Sequence, residues 1–331
     1  MQKKAKKERL IWLDIMITLF TLELMSYFYY GVRSVILACV CVGTAAFAEF
    51  VSLRLMKRKF TADDLTGTSD ALILALMFPA VMDLDIAAIA TVFSIVAAKN
   101  VFGGRINMIF SPAAAGYIFV LTSWSRKLLQ YTEPHIKTGV FEEPAVLVNS
   151  ASHQFNMTGD LKISNFELLL GNFSGPSGSV SVLLLVVAAV VLMFRKSISA
   201  GAFIGVISGT GFFSVVTPMS ASRMESLKGS LVMNMVLFAA VYIVSDVRIA
   251  PKRAYYAFFY GLFIGVISYV LVLTGAKENA VIIVSVLFTP VALGFKNLEK
   301  RIDLALEESF SAENNDTGKA VPLREEAAAG E

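Results

Sequence analysis

Residues 10–32 read LIWLDIMITLFTLELMSYFYYGV. At about 1.5 Å per residue this run is long enough to cross a hydrocarbon core of about 30 Å. It holds two carboxylates, Asp14 and Glu23, and no Lys or Arg. The stretch before it, MQKKAKKERL, is basic, and no small-residue cleavage site follows, so the run is expected to be a first transmembrane helix and not a removable signal peptide. Working outward, similar runs recur at 34–56, 68–83, 84–101 and 107–125. After a polar interruption five more follow, at 177–195, 199–217, 229–246, 253–274 and 279–295.

Composition agrees. Of 331 residues 56% are apolar and 17% charged, below the roughly 25% charged of a soluble domain, and mean hydropathy is +0.67. A soluble-domain reading is excluded. The predicted organisation is a basic tail at 1–9, a first five-helix repeat at 10–125, an external loop at 126–176, a second five-helix repeat at 177–298, and a disordered tail at 299–331. If every run crosses, the loops on the side of the N-terminus carry 19 Lys and Arg against 8 on the other side. The positive-inside rule then places both termini in the cytoplasm and the long loop outside. Five crossings per half make the two repeats inverted. The expected fold is all-α, a polytopic membrane protein of about ten transmembrane or broken helices. Pro79, Pro112 and Pro290 mark candidate breaks, where transporters build central sites; Pro is also common in ordinary membrane helices.

Ionisable groups inside apolar runs are costly and are therefore candidates for function. Glu23, Glu49, Asp70 and Asp246 are the candidate ion-coupling residues. Asp14 and Lys99 lie near run ends, where snorkelling would explain them. His135 and His153 both fall in the external loop and make no metal set. Cys39 and Cys41 form no disulfide or zinc pattern and, two apart, point in different directions on a helix. No Walker loop, GxGxxG, HExxH or GxSxG occurs. The expected surroundings are a lipid bilayer, with no nucleic acid and no metal. From the residues alone the choice is between a multi-helix transporter and a membrane redox subunit.

Ser69-Asp70-Ala-Leu-Ile-Leu-Ala-Leu-Met-Phe-Pro79-Ala, then Ala98-Lys99-Asn-Val-Phe102-Gly103-Gly104, then Phe110-Ser111-Pro112-Ala113-Ala-Ala-Gly116-Tyr117, occur in that order. Leu170-Gly171-Asn172-Phe-Ser-Gly175-Pro-Ser-Gly178-Ser-Val-Ser181 and Phe238 to Asp246 follow. This series resembles the RnfD/NqrB family, the membrane subunits of Rnf and sodium-pumping quinone-reductase complexes, over roughly residues 35–295. The resemblance implies the RnfD component of an Rnf-like complex in a bacterial cytoplasmic membrane, coupling electron transfer to Na⁺ or H⁺ movement. It implies FMN esterified through its phosphate to an external-loop hydroxyl, at Ser152 in Ser150-Ala151-Ser152, with Gly175 and Gly178 allowing close approach of a ring or phosphate. It also implies a second, non-covalent flavin such as riboflavin, an FMN transferase and the other complex subunits as partners. The sequence departs from the family where Ser152 replaces Thr, Val146 an acidic residue and His153 a Pro. A flavin-free solute transporter or channel on the same scaffold and a redox-inert assembly subunit are the alternatives.

Overall fold

The computed structural model describes residues 2–57, 66–102, 104, 108–136, 139, 142, 146–161, 163–275 and 277–317. Every apolar run is helical, and no strand forms among the described residues. The first half opens with α1 (Gln2–Tyr30) and α2 (Val32–Leu55). They are separated only by Gly31, whose φ of 79° is left-handed backbone that glycine adopts freely. Then come α3 (Gly67–Met77) and α4 (Leu84–Val92), the latter continuing as a π-helical stretch, Phe93–Asn100. α5 (Pro112–Ser123) begins on a cap in which Ser111 Oγ accepts from the Ala114 N–H and Pro112 occupies the first turn. The external segment carries three short helices, α6 (Ser125–Leu128), α7 (Ala151–Thr158) and α8 (Asn165–Leu170).

The second half runs α9 (Val182–Phe194), α10 (Ala200–Val216), α11 (Arg223–Val232) and α12 (Val236–Ala239), which passes into a π-helical stretch, Ala240–Val244. It ends with α13 (Ala254–Gly275), α14 (Ala280–Leu287) and α15 (Thr289–Thr317). Among the described residues three helices are long and apolar enough to cross a membrane singly, Arg9–Tyr30, Val32–Leu55 and Ala254–Gly275. Two pairs bent by 51° and 48° pass the same test together, and shorter apolar helices fill the remaining places. The protein is an all-α, multi-pass membrane protein.

Two segments form the centre. All eleven residues of α3 are buried, and so is every residue from Met233 to Asp246. α3 spans only about 17 Å at helical rise, roughly half a bilayer core. Arg248 ties Asp70, in the first turn of α3, to Asp246, beyond the last turn of the second segment. The two segments therefore run in opposite directions, as inverted halves require. Their other ends meet the external segment: the Ser177 and Gly178 N–H groups donate to the Phe78 and Leu76 carbonyls, and the Asn234 N–H donates to Ser152. The side carrying the external segment is the loop face and the opposite side, with Arg195, Arg248 and Lys296, the basic face.

Around this centre α2 packs on α3 and α4, and α10 packs along α13. The second pairing is backbone on backbone. A Cβ on Gly205 would strike the Phe258 carbonyl, and one on Gly261 the Ala202 carbonyl. Small residues at four-residue spacing permit this approach, which replaces the hydrophobic drive missing between helices in lipid.

One expectation is corrected. The chain from 299 is not structureless, because α15 continues to Thr317. Residues Leu298 to Ser309 are rich in Leu, Glu, Lys, Arg and Ala, strong helix formers. Glu299 anchors the helix by accepting the Lys252 and Arg253 backbone N–H groups at 3.1 and 2.7 Å. Residues beyond 317 lie outside the described set.

Candidate functional site

The four candidate ion-coupling carboxylates are buried but not equivalent. Arg248 Nη2 lies 2.7 Å from Asp70 Oδ1 and 2.6 Å from Asp246 Oδ2. Burial works against the Arg248 charge, but Asp246 and Asp70 override it and move the guanidinium pKa up. Lys296 Nζ donates to the Arg248 carbonyl at 2.9 Å and closes the basic side of this group. Glu49 is held by Lys99, whose Nζ lies 3.0 and 2.9 Å from its two oxygens and 3.3 Å from Thr66 Oγ1. Gly67, the first residue of α3, leaves room for this pair; a Cβ there would strike Glu49 Oε2.

Lys99 corrects the expectation of snorkelling, since it is 1% exposed. The π-helical stretch takes extra residues per turn and resets the register that plain α spacing would give, and Lys99 is turned inward toward α2. Asp14, near the other end of the same face, accepts from Arg195 Nε at 2.8 Å and Ser197 Oγ at 2.7 Å.

Glu23 differs from all of these. It is 8% exposed, has no cationic side chain in salt-bridge contact among the described residues, and leaves Oε1 without a hydrogen-bond partner. Its neighbours are the Ser34 hydroxyl and the Cys41 thiol of α2. A carboxylate so placed is neutral or holds a cation, because an isolated buried charge is prohibitively costly.

On the loop face, Ser150, Ala151 and Ser152 form one seat. Ser150 is the N-cap of α7: its Oγ accepts from the His153 N–H at 2.9 Å and donates to Glu278. The Ala151 N–H donates to the Ser174 carbonyl at 2.9 Å. Ser152 Oγ accepts from the Asn234 N–H at 3.0 Å and points its proton at Met233 Sδ, 3.8 Å away. Asn234 and Met235 both have left-handed φ, 60° and 56°, which costs energy for residues with a Cβ. The Ser152 hydroxyl, together with a reciprocal amide pair between Asn156 and Asn234 at 2.6 and 3.1 Å, holds that break.

The flavin expectation falls on this seat. Ser150 and Ser152 are 1% and 7% exposed, and both hydroxyls are engaged. A phosphoester at Ser152 would replace the hydroxyl proton aimed at Met233 Sδ while Oγ could still accept from the Asn234 N–H, so FMN there requires the Met233 side chain to move aside. Gly178 is accounted for by packing: its N–H donates to Leu76 O at 2.8 Å, and a Cβ would come within 2.6 Å of Leu76. Gly175 has only Val180 and Phe173 within contact distance of a Cβ. A cavity of about 370 Å³ elsewhere is lined by Phe93, Phe102, Phe110 and Phe119 and contains none of the candidate residues.

Sequence reasoning missed Glu278. It lies in the short loop between α13 and α14 and is 7% exposed. It accepts from Tyr131 at 3.0 Å and from Ser150. Its neighbours Lys277 and Asn279 gave the sequence a polar, solvated loop, and only the fold brings Tyr131, from 147 residues away, onto it.

The sequence model of the NQR2, RnfD, RnfE family matches residues 2–294. The D component of the ion-translocating oxidoreductase complex of Shewanella sediminis is 27% identical over 43% of this chain and 40% of its own length. The B component of the Na(+)-translocating NADH-quinone reductase of Klebsiella pneumoniae is 26% identical over 44% of this chain and 37% of its own. The D component of the Na(+)-translocating ferredoxin:NAD(+) oxidoreductase complex of Acetobacterium woodii is 25% identical over 56% of this chain and 58% of its own. Each alignment thus spans less than two thirds of the relative.

Proposed function

We propose a function from the premise that this chain belongs to the NQR2, RnfD, RnfE family. It is a membrane subunit of a multi-subunit, ion-translocating oxidoreductase complex, in a bacterial cytoplasmic membrane with both termini on the cytoplasmic side. Its own contribution is the cation route. The observation that carries this reading is Glu23, the one candidate ion-coupling carboxylate that faces no cationic side chain among the described residues. The transported cation, Na⁺ or H⁺, supplies the missing positive charge at Glu23. The Asp70–Arg248–Asp246 group and the Glu49–Lys99 pair fix the basic-face ends of the two central segments.

Electron carriers belong to partner subunits in this reading. FMN and a second flavin remain the family expectation, and FMN at Ser152 requires the Ser150–Ser152 seat to open first. That sealed seat favours a flavin-free member of such a complex over one flavinylated by a transferase.

The test is affinity purification of the tagged chain with its genomic neighbours, followed by assay of redox-driven cation uptake in proteoliposomes. Co-purification of redox subunits with uptake that fails when the chain is omitted is expected. A chain that purifies alone and conducts a solute without redox partners would replace this reading with the transporter alternative.

A further inference from the structure

Glu278, like Glu23, is a buried carboxylate without a cationic side chain in salt-bridge contact among the described residues, and it sits on the loop face, away from the basic-face ion pairs. Both of its oxygens are engaged by hydroxyl donors, Tyr131 on one and Ser150 on the other. Two further buried polar groups lie close to it, the Tyr117 hydroxyl, 0% exposed, and Asn279 Nδ2, on a residue 1% exposed, and they have only each other as partners among the described residues. Tyr117 comes from α5, and Tyr30, at the end of α1, reaches Tyr131. Among the described residues His153 on α7 is the basic group within electrostatic reach. The neighbouring Lys277 is turned to the exterior.

We propose that Glu278, with Tyr131, Ser150, Tyr117 and Asn279 around it, is a proton-binding site on the loop face, and that its occupancy governs how firmly the Ser150–Ser152 segment is seated. The donor set selects a proton over a metal cation. A metal ion requires several oxygen lone pairs converging on it. Here the hydroxyl protons of Ser150 and Tyr131 point at the carboxylate, and no cluster of three His, Cys, Asp or Glu residues forms among the described residues. A proton on one oxygen leaves the other free to accept, and gives the carboxyl an O–H that the Tyr117 hydroxyl oxygen can accept. The site does not rest on the redox reading, because it is present in the folded chain alone.

The direction of the effect follows from burial, which pushes the Glu278 pKa up, with the hydrogen bonds from Ser150 and Tyr131 and the His153 charge pulling it back in part. A carboxyl whose pKa is higher when seated than when released binds its proton more tightly in the seated state. The seat is therefore firmest at low pH and loosens as pH rises through the elevated pKa.

The experiment is hydrogen exchange of the backbone amides of residues 148–153 in the purified full chain, from about pH 5 to about pH 9, expressed as an opening constant after division by the intrinsic rate. Wild type is expected to show an opening constant that rises at least about tenfold with pH, the linkage value for one pKa unit. Glu278→Gln should be flat, and Tyr131→Phe, which removes a donor to the carboxylate, should move the midpoint to higher pH. Infrared difference spectra across the same titration should show a buried carboxyl C=O band that is absent in Glu278→Gln. An opening constant independent of pH in wild type, a carboxyl band that survives Glu278→Gln, or protection that follows sodium concentration at fixed pH would each overturn the proposal. Should Glu278→Gln fail to fold, Tyr131→Phe and the wild-type infrared titration decide it.

Discussion

The carboxylates near the basic face and those farther from it are treated in opposite ways by the same fold. Asp14, Glu49, Asp70 and Asp246 each meet a base, Arg195, Lys99 or Arg248, within 3 Å. Glu23 and Glu278 are equally buried and meet none. The first group consists of struts: each charge is neutralised by a fixed partner, and the pair joins two elements. In the second group no fixed base neutralises the charge among the described residues, and a mobile cation or proton is the partner proposed for it. Burial of an acid alone therefore does not identify an ion site, and Glu299, buried near the basic face but bonded to the Lys252 and Arg253 backbone N–H groups, shows that backbone donors must be counted along with bases.

The comparison breaks first, if it breaks, at Arg248. Arg248→Ala strands Asp70 and Asp246 and is expected to cost about 3–5 kcal/mol, read as a loss of folded yield and of resistance to unfolding in detergent. Neutralising all three, with Asp70→Asn, Asp246→Asn and Arg248→Met, should recover most of that loss. A triple variant that folds but transports nothing would move this group from strut to route. Next comes Lys99→Met, expected to cost about 3 kcal/mol by stranding Glu49, with Glu49→Gln added as the rescue.

A smaller effect is expected at the loop-face seat. Ser152→Ala leaves the buried Asn234 N–H without its acceptor, a loss of about 1 kcal/mol, measured by unfolding of the purified chain. In-gel flavin fluorescence of the denatured chain, co-expressed with an FMN transferase shown active on another substrate, should be dark in wild type and variant alike. A fluorescent wild-type band that vanishes in Ser152→Ala would show that the seat opens to the transferase. The smallest effect on stability belongs to Glu23→Gln, within about 1 kcal/mol of wild type or above it, because the change removes a desolvated charge that has no partner to lose.

Much of the fold was legible because apolar run length is a local property. The ten runs coincide with helices, and the break near Pro79 lies where α3 ends at Met77. In the second half the break between α14 and α15 lies beside Pro290, but the break between α11 and α12 was not legible. It falls at Asn234 and Met235, where no Pro or Gly stands, and its support comes from Ser152 and Asn156, about 80 residues away. Lys99 was misread because a π-helical register cannot be seen in a pattern built on 3.6 residues per turn. Glu23, Glu49, Asp70 and Asp246 could be found as buried acids, but not sorted, since the sorting depends on Lys99, which reaches Glu49 from 50 residues away, and on Arg248, whose contact with Asp70 spans 178 residues. Glu278 was hidden by its position in a short polar loop.

The most direct test of the central claim is the number of cations moved per electron by the assembled complex in proteoliposomes, wild type against Glu23→Gln. Glu23→Gln should assemble and pass electrons at a rate close to wild type, with cation movement reduced at least about tenfold, the factor corresponding to loss of about 1.4 kcal/mol at the site. An unchanged ratio of cations to electrons in an assembled Glu23→Gln complex would contradict the assignment of the unpartnered carboxylate as the carrier of the transported charge.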